Sequence, residues 1–149
     1  MNPEFLIIHH SATRDGNTND WEAIRHYHMS WRYQGRIISE TEAKQRILNG
    51  VRGVEAPWKD IGYHFGAEFD GDCYRWKIGR PLTMGGGHCV EQGMNQKSIG
   101  VCVVGNYDVD EVAPPLLAIV VQNVSARMQE FRIPKSNVAR HSDYAPYKS

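Results

Sequence analysis

Residues 98–104 read Ser-Ile-Gly-Val-Cys-Val-Val, a near-continuous apolar run. Side chains alternate between the two faces of a strand, so a run apolar at odd and even positions suits a strand covered on both sides. Phe5 to Ile8 is a second short apolar run, rich in branched residues, and reads as another buried strand. Ile61 to Glu68 and Cys73 to Ile78 flank the turn Asp70-Gly71-Asp72 and read as a hairpin; Val138 to Arg140 is a last short strand. Between these lie helical signals. Asn19 precedes Glu22 by three residues in the manner of a capping box, and a helix is expected from about Asp20 to Ser30. Ser39 and Glu42 repeat the signal ahead of Ala43, Ile47 and Val51, and Gly53 to Pro57 breaks that helix. Pro114 and Pro115 suit a helix start. Leu117, Val120, Val121, Val124, Met128 and Phe131 then form one stripe, stopped by Pro134. Asp15-Gly16-Asn17 reads as a turn. Interleaved strands and helices predict an α/β domain with a central mixed sheet and flanking helices.

The chain has 149 residues, enough for one domain that buries about 70% of its unfolded surface without disulfides. Formal charge is zero, with acids and bases mixed along the chain, which argues against nucleic acid as a partner. No apolar run approaches a membrane span, and residues 1–5 lack the features of a secretory signal, so the chain is expected to be cytoplasmic as synthesised. Three cysteines, an odd number, speak for reduced thiols. Cys102 lies in the apolar run and is expected in the core. Cys89 sits beside His88 in a glycine-rich loop and is less easily assigned.

Two histidines, His9 and His141, fall at the C-terminal ends of predicted strands, where open α/β sheets place ligands. Neutral imidazole is a common zinc ligand, and two strands can hold two of them at bonding distance. With seven histidines in the chain, spacing alone does not separate a metal site from two structural histidines.

The surrounding residues carry more. His9-His10-Ser11-Ala12-Thr13, Gly62-Tyr63-His64-Phe65, Asn95-Gln96-Lys97-Ser98-Ile99-Gly100-Val101 and His141-Ser142-Asp143-Tyr144-Ala145-Pro146 occur in this order. The series resembles the N-acetylmuramoyl-L-alanine amidase family, which includes small phage lysozymes of the amidase type, cell-wall recycling amidases and peptidoglycan recognition proteins. The resemblance runs over nearly the whole chain. Residues from about 32 to 57 have no counterpart in the smallest members and read as an insertion with its own short helix.

The resemblance implies an amidase-like fold and zinc-dependent hydrolysis of the amide between N-acetylmuramic acid and L-alanine in peptidoglycan. It implies a Zn2+ ion held by His9, His141 and a cysteine or aspartate. That third ligand is expected just after Ser149, or at Ser149 itself, so weak zinc binding is expected of this chain. Such a site keeps one position for water, and the oxyanion formed during hydrolysis needs donors. Tyr63 and Lys148 match the family tyrosine and lysine. His88 and Asn95 lie where members contact substrate, whereas His64, next to Tyr63 on a strand, is expected to point away and be structural. No role is carried onto His10. The partner implied is peptidoglycan, acted on by a monomer once a lysis system releases it. The alternative from another class is a peptidoglycan-binding module that does not cut.

Overall fold

The computed structural model describes residues 1–12 and 19–147. The turn expected at Asp15-Gly16-Asn17 and the residues Thr13, Lys148 and Ser149 lie outside them. Five strands form the main sheet: β1 (Phe5–His10), β5 (Phe65–Phe69), β6 (Tyr74–Ile78), β7 (Ser98–Val103) and β8 (Val138–Arg140). Their order is β6-β5-β7-β1-β8. β5, β7, β1 and β8 run parallel, and β6 closes a hairpin antiparallel to β5, so the sheet is mixed as expected. The apolar run 98–103 takes a central place, and all six residues of β7 are buried.

Alternation along the strands divides the core. Leu6, Phe65, Ile99 and Val101 face one side and pack against Val124, Met128 and Phe131 of α4 (Pro114–Phe131). Cys102 faces the other side and packs against Trp21 and Ile24 of α1 (Trp21–His28). Trp21 has the closest fit. An added Cβ at Gly66 would stand 2.2 Å from its ring and 2.6 Å from the Cys102 carbonyl, so β5 needs glycine there to admit the indole. Glu68, two residues further along β5, accepts the Trp21 backbone N–H at 2.7 Å and ties the start of α1 to the sheet.

Helix α1 starts one residue later than its sequence signal. Asp20, not Asn19, is the N-cap, and its Oδ1 accepts from Ala23 N at 2.7 Å. Ser39 caps α2 (Glu40–Leu48) as expected, accepting from Glu42 N at 3.0 Å. The insertion holds more than that helix. β2 (Arg32–Tyr33), β3 (Arg36–Ile37) and β4 (Val54–Glu55) form a second small sheet of order β3-β2-β4. Buried Arg32 fastens it: the guanidinium lies 4.8 Å over the Trp58 ring and 5.3 Å over Tyr27, with Glu55 at 3.3 Å. The hairpin strand expected from Ile61 begins only at Phe65, because residues 61–64 turn toward the neighbouring loops instead of pairing along their length. The short helix α3 (Met94–Lys97) leads directly into β7.

Candidate metal and active site

The site forms where β1 and β8 end side by side. Ile8 pairs with Arg140, so His9, the next residue of β1, and His141, the first residue past β8, lie side by side. Their ring centroids are 4.4 Å apart, and both residues are buried. The loop from Gly85 to Gly93 crosses in front of them and brings Cys89 and Glu91. Cys89 Sγ, Glu91 and His141 each offer a ligand atom within 4.8 Å of the others. Cys89 Sγ lies 3.3 Å from Glu91 Oε2, and His141 Nε2 lies 3.7 Å from the same oxygen. Tyr147 donates to the other carboxylate oxygen. Donors about 2.0–2.3 Å from a tetrahedral zinc stand about 3.3–3.7 Å apart, so these spacings and this mixture of imidazole, thiol and carboxylate fit zinc.

His88 does not line an open groove. Only 7% of it is exposed, and Nδ1 lies 2.9 Å from His9 Nε2. Burial, with His64 close by, pushes its pKa down to about 3, so the ring is neutral. Asn95 acts on the same loop. Its Oδ1 accepts the backbone N–H groups of His88 and Cys89, each at 2.8 Å, which fixes the segment that delivers Cys89. Both residues, expected from the sequence to contact substrate, make these contacts within the protein.

Tyr63 stands with its ring 5.2 Å from that of His9 and 5.9 Å from that of His28. Burial, with the Cys102 thiol close by, raises its pKa well above the usual value. Burial likewise pushes the Cys102 thiol up to about 12. Both groups therefore keep their protons near neutral pH. His64 is fully buried, with Nδ1 accepting from Gly100 N at 3.1 Å and Nε2 donating to the Met84 carbonyl at 2.8 Å. The pairing joins a loop to β7, which is a structural role. Yet its ring lies 6.0 Å from that of His88, close to the 6.3 Å that separates Tyr63 from His88. Tyr63 and His64 both precede β5. On the α4 face of the sheet, His10 Nδ1 accepts from Tyr107 N at 3.0 Å and steadies the loop after β7.

A cavity of about 440 Å³ opens on that same α4 face, lined by Ile8, His10, Val103, Tyr107, Leu116 and Val120, and reaches His9 and His141 at the sheet end. A second, of about 360 Å³, lies between Trp58, Arg80 and the glycine loop at Gly86 and Gly87. Sequence reasoning missed Glu91 altogether. The one available signal was its place two residues after Cys89, which says nothing about where the loop carries it.

Comparison with known proteins adds the remaining findings. The sequence profile of the N-acetylmuramoyl-L-alanine amidase family matches residues 1–149. An endolysin of Enterobacteria phage K11 is 34% identical over 118 residues, which cover 72% of each chain. Among solved structures, PGRP-SA of Apis mellifera superposes with a TM-score of 0.61 at 22% identity, covering 95% of this chain and 72% of that one. The N-acetylmuramoyl-L-alanine amidase LysC of Clostridium intestinale gives a TM-score of 0.57 at 21% identity, covering 97% of this chain and 73% of that one. At these identities the two structural likenesses speak to the fold alone.

Proposed function

Because the chain belongs to the N-acetylmuramoyl-L-alanine amidase family, we propose that it hydrolyses the amide between the lactyl group of N-acetylmuramic acid and L-alanine in peptidoglycan, with zinc as cofactor. The observation that carries this reading is the convergence of His9 and His141 at adjacent strand ends, with Cys89 and Glu91 beside His141. Cys89, Glu91 and His141 would hold the ion, with His9, its ring 4.4 Å from that of His141, as the further ligand. When bound, zinc supplies Lewis acidity at the scissile carbonyl and lowers the pKa of a bound water to about 7.

The protein's own groups do the rest. The parallel pairing of β1 with β8 fixes the spacing of the two histidines, so little rearrangement is needed to bind the ion. Glu91 adds negative charge that offsets the cation, as does Cys89 once its thiol ionises on binding. Tyr63, protonated and next to His9, is the hydrogen-bond donor for the oxyanion or for the departing amine of L-alanine. Lys148, outside the described residues, is assigned the second positive contact to the oxyanion.

The test is a zinc titration paired with hydrolysis of a soluble N-acetylmuramoyl-L-alanyl peptide, with products weighed by mass spectrometry. The sequence alone predicts weak zinc binding, but Cys89 and Glu91 beside His141 complete the ligand set, so one zinc per chain is expected, with turnover that a chelator abolishes. His9→Ala and His141→Ala should each lose both. Retained peptidoglycan binding without any cleaved product would instead favour a binding module.

A further inference from the structure

We propose that His88 is a positioning residue that fixes the proton of His9 on Nε2, so that His9 meets the metal through Nδ1. The proposal rests on the reading of His9 as a zinc ligand.

The Ser98 hydroxyl has one hydrogen to give. Ser98 Oγ lies 2.6 Å from the Met94 carbonyl oxygen, a distance that requires donation to it. Toward His88 Nε2, at 3.3 Å, the same oxygen can then only accept. His88 therefore carries its hydrogen on Nε2. A buried imidazole is neutral unless paired with an anion, and a neutral ring protonated on Nε2 presents a lone pair on Nδ1. That lone pair faces His9 Nε2 at 2.9 Å, so His9 must donate from Nε2. The lone pair of a neutral His9 is then on Nδ1. Four groups, Met94 O, Ser98, His88 and His9, thus form one directional chain in which each proton position decides the next.

Packing holds this chain in place. An added Cβ would stand 2.4 Å from the His88 ring at Gly100 and 2.2 Å from it at Gly86. Both positions are glycine, so the ring lies flush against two backbones and cannot turn over without opening them. Asn95 fixes the His88 backbone from a third direction. Metal-ligating histidines commonly give their second N–H to a carboxylate or a carbonyl, which sets the tautomer and raises the basicity of the ligating nitrogen. Here the acceptor is another neutral histidine, itself oriented by a serine.

The test reads the tautomers directly. Long-range ¹⁵N–¹H imidazole spectra of the zinc-free protein near neutral pH should show both His9 and His88 protonated on Nε2. Ser98→Ala, a small change in a buried strand, removes the group that orients His88 and should give His9 a mixture of tautomers. Zinc affinity, measured by calorimetry, should fall about 10-fold in Ser98→Ala and about 10- to 100-fold in His88→Ala. Ser98→Thr, which restores a hydroxyl, should recover the wild-type spectrum. A His9 protonated on Nδ1 in the wild-type spectrum would overturn the proposal whatever the zinc result. An unchanged spectrum in Ser98→Ala would do the same. The predicted tautomers in a protein that binds no zinc would uphold the chain of hydrogen bonds and sink the metal reading on which its purpose rests.

Discussion

Tyr63 lies beside His9, with its ring 5.2 Å from the imidazole, and burial keeps its hydroxyl protonated near neutral pH. A protonated hydroxyl beside a proposed metal ligand suits donation to an oxyanion. Tyr63→Phe should therefore lower kcat on a muramoyl-peptide by about 10²-fold while KM and zinc content change little. A comparable loss in KM alone would make Tyr63 a binding residue. Cys89 makes a second prediction at this scale. Its thiol can become a thiolate ligand, which serine cannot do near neutral pH. Cys89→Ser should lose zinc on dialysis where the wild type keeps it, and Cys73→Ser, at an exposed position, should behave as wild type. Equal zinc retention in the two variants would remove Cys89 from the ligand set.

Among the elements, the main strands and helices were legible because each carries an apolar pattern, and the helices a start signal as well. Ser39 caps α2 as its spacing with Glu42 predicts, and Pro114 opens α4. What sequence could not give is the path of irregular chain. The loop from Gly85 to Gly93 carries Cys89 and Glu91 to His141, and no periodicity encodes that route. The small sheet β3-β2-β4 was missed for a related reason: two-residue strands leave no alternation to detect, and its anchor is a stack of Arg32 on two distant aromatic rings. The two histidines at strand ends were legible, whereas the inward turn of His88 depends on Gly86 and Gly100 making room for it. The fit of α1 against β5 gives a direct check on packing. Gly66→Ala would press a methyl into Trp21 and should cost about 1–3 kcal/mol, read as a lower urea midpoint with an unchanged slope.

Across the whole molecule, neutral buried histidines link stability to pH. Burial, with Arg32 and Arg80 nearby, lowers the pKa of His28 from 6.5 to about 4, and its Nδ1 accepts the Gly62 N–H at 3.0 Å. The unfolded chain takes up a proton below pH 6.5 while the folded chain does not, so stability present above 6.5 declines as pH falls toward 4. For His28 alone this amounts to about 3 kcal/mol. Burial lowers His64 in the same direction. Urea midpoints of the zinc-free protein should fall steadily between pH 6.5 and 4, and a flat profile there would contradict the assigned burial. Above that range both histidines are neutral. The bond the protein is proposed to break is the amide between the lactyl group and L-alanine. The direct measurement is the appearance of free L-alanine amino groups during incubation of purified peptidoglycan with the zinc-loaded protein. Such amino groups should accumulate without new reducing sugar ends, and chelation or His141→Ala should stop the release. Peptidoglycan that is bound but yields no L-alanine amino groups, or that yields reducing ends instead, would contradict the claim.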